Sequence, residues 1–165
     1  MSSKILKSSK KANKMTAQEL KDIFVLNKKT LGSIESFTGG LFASTVTKIS
    51  GASGYFKGSI VTYWTEEKER LLGISPLDVN KYGVVSKEIA EQMAVYGRDL
   101  LDVDICVSFT GNAGPTAMED KPVGEIYIGI ADEEGVNVYP YQLNGSREEI
   151  QNKAVQLAIE KLLNK

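Results

Sequence analysis

From Thr30 to Phe109, short β-rich runs alternate with helix-forming segments, and glycine-bearing junctions stand between them. Thr30 to Glu35 reads as a strand, followed by Gly39-Gly40 and the run Leu41 to Ile49, whose composition allows a helix despite its β-branched residues. Tyr55 to Trp64 contains the β-rich stretch Ile60-Val61-Thr62-Tyr63. After it, Thr65 to Leu72 reads as a helix stopped by Gly73. Ser75-Pro76 opens another short helix that closes near Gly83. Ser86 caps a long one reaching Leu101, with Ile89, Met93 and Leu100 assigned to the core. Val103 to Phe109 is the next strand. Such alternation buries strands in one sheet between two helix layers, so the expected fold is a three-layer α/β/α sandwich. Val123 to Ala131 and Val136 to Leu143, joined by a polar turn around Glu133-Glu134-Gly135, form a late antiparallel hairpin, which makes the mainly parallel sheet mixed. Thr16-x-x-Glu19 and Ser146-x-x-Glu149 match helix-capping patterns at the two ends of the domain, the latter opening a helix to Leu163. One domain over residues 15–165 is expected, without internal repeats.

A length of 165 residues fits a single domain, and 20 basic against 21 acidic residues leave no field for general nucleic-acid binding. Its apolar runs are interrupted far short of the ~20 residues of a membrane span. The first fourteen residues carry five lysines and no acid; they read as a disordered basic tail, and they lack the apolar core of a signal peptide. A cytoplasmic location is the expectation. The single Cys106, in a β-rich run, reads as a packed thiol. Histidine is absent altogether, which excludes Ser-His-Asp and Cys-His catalysis and any metal site that depends on imidazole.

Three glycine-containing junctions are candidates for ligand contact: Ser36-Phe37-Thr38-Gly39-Gly40, Gly51-Ala52-Ser53-Gly54 and Thr110-Gly111-Asn112-Ala113-Gly114-Pro115. Glycine lets main chain approach a ligand, and amides at a helix start can hold a phosphate. The first and third follow strands, where α/β sheets form ligand crevices. A turn with a helix cap is the alternative for each. None spells the Walker phosphate loop or the dinucleotide fingerprint. Without imidazole, the natural base for a serine nucleophile is a lysine whose pKa is lowered by burial. Lys68 is the best-placed candidate, with Tyr63 near it to orient or relay; a surface-paired lysine and a merely packed tyrosine are the other reading.

The order and spacing of several motifs across Ala17 to Leu163 add a resemblance. Glu35-Ser36-Phe37-Thr38-Gly39-Gly40, Gly51-Ala52-Ser53, Val61-Thr62-Tyr63 with Lys68, Gly83-Val84-Val85-Ser86, Thr110 to Pro115 and Lys121-Pro122-Val123-Gly124 together resemble the C-terminal domain of the competence-damage-inducible protein CinA. That family includes nicotinamide-mononucleotide deamidases. The resemblance implies hydrolysis of the carboxamide of nicotinamide mononucleotide to nicotinate mononucleotide and ammonia by a serine-lysine mechanism, with no metal or organic cofactor. It implies Ser53 as nucleophile, Lys68 as general base and Tyr63 as the third member. Ser36, Thr38, Gly39, Gly40, Thr110, Gly111, Asn112 and Arg147 are the implied substrate contacts, Arg147 as a phosphate partner.

The chain departs from the family pattern at four places. Phe37 stands where a cysteine is usual, Ala52 replaces the first serine of Gly-Ser-Ser, Asn112 replaces an apolar residue, and Thr116 to Asp120 lacks the usual glycines. The last two bear on substrate affinity. The expected partners are a small-molecule nucleotide and further copies of the chain, with neither membrane nor nucleic acid. A nucleotide-binding module of the same fold without catalysis is the second reading.

Overall fold

A computed structural model describes residues 15–165; the tail expected over Met1 to Lys14 lies outside the described residues. The Thr16 hydroxyl accepts from the Glu19 amide while the Glu19 carboxylate accepts from the Thr16 amide, and this capping box opens α1 (Ala17–Leu26). The chain continues through β1 (Leu31–Glu35), α2 (Leu41–Thr47), a 3-10 turn (Ala52–Gly54), β2 (Phe56–Val61), α3 (Thr65–Leu72), α4 (Pro76–Tyr82) and α5 (Lys87–Leu101). Then come β3 (Ile105–Gly111), β4 (Glu125–Asp132), β5 (Gly135–Gln142) and α6 (Arg147–Leu163). Local chemistry accounts for most boundaries. Gly73 ends α3 in the left-handed region at φ 77°, Pro76 occupies the first turn of α4 behind the Ser75 cap, and Ser86 accepts from the Ile89 amide to start α5.

The sheet order is β2-β1-β3-β4-β5. Pairing is parallel for β1 with β2 and β3, and antiparallel for β3 with β4 and β4 with β5. As a central strand covered on both faces, β1 is buried at every position. On one side α1, α2 and α6 enclose a core of Leu20, Phe24, Phe42, Val46, Ile150 and Ile159 with Val107 and Phe109. On the other, α5 covers Ile34 and Cys106 with Ile89 and Met93, flanked by Leu72 and Ile74 around the end of α3. The strand alternation of β3 explains the division, because Cys106 and Val107 point to opposite faces.

Leu100 was expected in the core, but it is 54% exposed. The buried stripe of α5 runs through Ile89, Met93 and Gly97, and at one helical turn further Leu101, not Leu100, continues it. Cys106 is fully buried, and burial pushes its thiol up to about 12, so it stays a neutral packing group. No helix among the described residues is long and apolar enough to cross a membrane.

Parallel pairing decides where chemistry collects. The C-terminal ends of β1, β2 and β3 share one edge of the sheet, and the start of β4 and the end of β5 lie on that same edge. The segments after β1, β2, β3 and β5 therefore converge there.

Close approach of α5 to the sheet depends on Gly97: a Cβ at this position would lie 2.3 Å from Ile34 Cγ1 and 2.9 Å from Cys106 Sγ. Gly97→Ala would gain ~1 kcal/mol of helix propensity and lose ~1–3 kcal/mol to overpacking. The expected result is a lower urea midpoint for Gly97→Ala; an unchanged or raised midpoint would show that the helix shifts freely.

Candidate active site

Glu35, the last residue of β1, is fully buried and meets five donors. One carboxylate oxygen accepts from Thr38 Oγ1 at 2.8 Å and the Phe42 amide at 3.0 Å. The other accepts from the Ala43 amide at 3.1 Å, Ser59 Oγ at 3.0 Å and Ser33 Oγ at 3.3 Å. A carboxylate at the start of α2 satisfies amides that have no partner within the helix. Two consequences follow. The turn Ser36–Gly40 is tied to β1, β2 and α2 together, and the amides of Phe42 and Ala43 at the start of α2 are held by the chain's own anion.

Ser36 emerges from this anchored strand end and meets Lys68. Lys68, on α3, is 1% exposed; its Nζ donates to Ser36 Oγ at 3.0 Å and to the Thr62 carbonyl at 2.6 Å. The Thr62 amide in turn donates to the Glu35 carbonyl at 2.8 Å, extending the β1–β2 pairing to the site. Among the described residues no carboxylate forms an ion pair with Lys68. Burial therefore pushes its ammonium down from 10.5 to about 8, with the Glu119 charge acting in the opposite direction.

Ser53 is not brought to Lys68. It lies exposed in the 3-10 turn that precedes β2, whereas Ser36, Thr62 and Lys68 lie beyond the C-terminal ends of β1 and β2. The six-residue length of β2 separates the two sites, which at ~3.3 Å per residue is roughly 15 Å or more. The structure does not bring the expected pair of Ser53 and Lys68 together; the hydroxyl that meets Lys68 is Ser36, expected from the resemblance only as a substrate contact.

Tyr63 is 56% exposed, and its hydroxyl accepts from Arg147 Nη2 at 2.9 Å. Arg147, the first residue of α6, also donates through Nη1 to the Gly114 carbonyl at 2.7 Å. It thus bridges the segment after β2 to the segment after β3. Ser36, Tyr63, Gly111, Asn112 and Arg147 share a cleft of about 250 Å³. On the other side of Arg147, Thr38, Gly39 and Gly40 line a wider hollow of about 660 Å³ with Ser44 and Gln151. A further hollow of about 570 Å³ around Asp132, Tyr139 and Lys161 carries no serine, threonine or cysteine in its lining.

Two predicted contacts have other work. The Thr110 hydroxyl donates to the Val84 carbonyl at 2.6 Å. Asn112 points its amide into the segment that follows, accepting from the Met118 amide and donating to the Met118 and Lys121 carbonyls. Sequence reading gave no individual role to three participants: Glu35, quoted only within its motif although an acid at a strand end directly before a glycine turn and a helix was a signal, and Met118 and Glu119, named only within the Thr116 to Asp120 departure.

At pH 7 the depressed ionisation of Lys68 corresponds to a cost of ~3 kcal/mol for keeping the ammonium buried. The unfolded chain binds more protons at this group between pH 8 and 10.5, so the folded state gains stability as pH rises through that window. Denaturation of the wild type and Lys68→Met should therefore show the variant's relative stability falling by ~2–3 kcal/mol between pH 7 and pH 10. A gap independent of pH would mean that Lys68 is not penalised by burial.

Residues 13–165 match the family model described as "CinA C-terminal domain". A putative competence-damage inducible protein of Bacillus pumilus is 40% identical over 136 residues, 82% of this chain and 33% of that protein. Its counterpart from Streptococcus pneumoniae is 44% identical over 128 residues, 77% of this chain and 31% of that protein. The chain thus spans about a third of the length of these curated relatives. Among solved structures, the competence/damage inducible protein CihA from Agrobacterium tumefaciens superposes with a TM-score of 0.86 at 30% identity, covering 90% of this chain and 93% of that one. The competence damage-inducible protein A from Klebsiella pneumoniae, at 23% identity and a TM-score of 0.88 over 90% of this chain and 93% of that one, shares the fold. With the family model matching residues 13–165 and relatives of 40% and 44% identity over most of its length, the chain belongs to the CinA C-terminal domain family.

Proposed function

We propose that this chain is a serine-lysine amidohydrolase acting on the carboxamide of a nicotinamide nucleotide, converting nicotinamide mononucleotide to nicotinate mononucleotide and ammonia, with Ser36 as nucleophile. The observation that carries this reading is the buried 3.0 Å contact between Lys68 Nζ and Ser36 Oγ, made by a lysine without a counter-ion among the described residues. A lysine in that state is a competent base near pH 8, and the distance suits direct proton transfer.

Neutral Lys68 takes the proton of Ser36 as Oγ attacks the amide carbon, and the ammonium so formed protonates the amide nitrogen, which leaves as ammonia as the C–N bond breaks. Water then adds to the acyl-enzyme, Lys68 removing its proton, and the carboxylate product leaves with Ser36 restored. The Thr62 carbonyl orients Nζ throughout. Phe37 and Ala113 line the cleft beside Ser36, and their main-chain amides are the donors assigned here to the tetrahedral oxyanion. Arg147 supplies a cation at the cleft and, without a carboxylate partner among the described residues, is the group to pair with the nucleotide's phosphate. Since Glu35 fills the amides at the start of α2, the phosphate is assigned to Arg147 rather than to those amides.

Ammonia release from nicotinamide mononucleotide tests the assignment. Ser36→Ala and Lys68→Ala should each lose more than ~10³-fold in kcat, while Ser53→Ala should stay close to wild type; full activity in Ser36→Ala would reject the mechanism. No turnover of any nicotinamide nucleotide by the wild type would reject the activity. For the active enzyme, kcat/KM should rise with pH through an apparent pKa of about 8, because the neutral form of Lys68 is the base. A rate falling across that range would contradict lysine as the base.

A further inference from the structure

The segment between β3 and β4 contributes Asn112, Thr116, Ala117 and Met118 to the lining of the Ser36 cleft. Two consecutive residues that are not glycine, Glu119 and Asp120, adopt left-handed backbone at φ 61° and 55°. Side chains tolerate that region only when surrounding contacts hold them there.

Here the contacts are specific. The Glu119 carboxylate accepts from the Val84 amide at 2.7 Å and the Val85 amide at 3.3 Å, and Gly83 leaves the space it needs, since a Cβ there would lie 2.4 Å from Glu119 Oε2. Lys121 pairs with Glu119 at 3.4 Å and donates to the carbonyls of Tyr82 and Val85. From the other side, Asn112 holds both the amide and the carbonyl of Met118.

The same carboxylate acts electrostatically on Lys68. Other charged groups around the site are committed elsewhere. Glu35 on β1 is enclosed by its donors, Glu67 on α3 pairs with Arg70, Lys121 is held by Glu119, and Arg147 on α6 engages Tyr63 and Gly114.

We propose that Glu119 is a positioning residue of this active site: latched onto the Val84 and Val85 amides, it fixes the Met118 wall of the cleft against the bound substrate and keeps a negative charge within electrostatic reach of the Ser36–Lys68 pair. The proposal rests on the serine-lysine reading above. Glu119→Gln keeps an acceptor for the Val84 amide but removes the charge; Glu119→Ala removes both.

Two measurements on the folded chain need no turnover. NMR titration of Lys68 in lysine-labelled protein should give a lower midpoint in Glu119→Gln than in wild type, because Glu119 opposes the effect of burial. Amide exchange at Val84 and Val85 should quicken by about tenfold in Glu119→Ala, which leaves both without their acceptor. With nicotinamide mononucleotide as the probe, KM should rise about tenfold in Glu119→Ala and return most of the way in Glu119→Gln, whose acid limb of kcat/KM should move to lower pH. Wild-type turnover with KM, Lys68 titration and amide exchange all unchanged in both variants would overturn the latch alone. The expected titration and exchange changes in a wild type that releases no ammonia would overturn the amidohydrolase reading and leave the latch standing.

Discussion

The site depends on where one buried anion is placed. Glu35 is a fully buried carboxylate at the end of β1, an arrangement that is costly unless every lone pair is met. It is met by donors from β1, β2 and α2 and by the turn between them. Satisfying that charge forces the residue that follows it into one position. Ser36 then lies where the first turns of α3 can reach it, and Lys68 does so from within the protein. The ammonium donates hydrogen bonds to Ser36 Oγ and the Thr62 carbonyl but has no counter-ion among the described residues. One buried charge is thus fully compensated so that its neighbour can be left under-compensated, and an under-compensated lysine is what the proposed chemistry needs.

Much of this was legible in the sequence because local rules govern it. The Thr16 and Ser146 caps, the stop at Gly73, the Ser75-Pro76 start and the Ser86 cap each reflect hydrogen bonds within a few residues, and each element formed where those signals stood. The absence of histidine pointed only to a lysine as base; the position of Lys68 after a β-rich run and the family resemblance singled it out. The choice between Ser36 and Ser53 was not local. Both serines sit in glycine-bearing junctions, and they differ in whether the junction follows or precedes a strand. Parallel β1 and β2 then send one to the edge that holds Lys68 and the other to the opposite edge. The rule that α/β sheets place ligands beyond the carboxyl ends of their strands distinguishes them once strand direction is known. Leu100 failed for a smaller reason of the same kind: a helical stripe fixes which residues share a face, and the close approach at Gly97 decides which face the sheet covers.

The long connection between β3 and β4 was legible only as a departure from the family pattern at Asn112 and Thr116 to Asp120, not in its conformation. Its conformation rests on contacts across the chain, Glu119 with Val84 and Asn112 with Met118, and no periodicity announces them. Departures from a family pattern first point to weakened binding. Here the same residues supply hydrogen bonds that brace the cleft wall.

Labelling with a fluorophosphonate that traps activated serines, followed by peptide mass mapping, tests the central claim most directly. The account predicts modification of Ser36, at a rate that rises with pH through about 8 and is lost in Lys68→Ala. Modification of Ser53 with Ser36 left free, or labelling of Ser36 that is indifferent to Lys68→Ala, would contradict it.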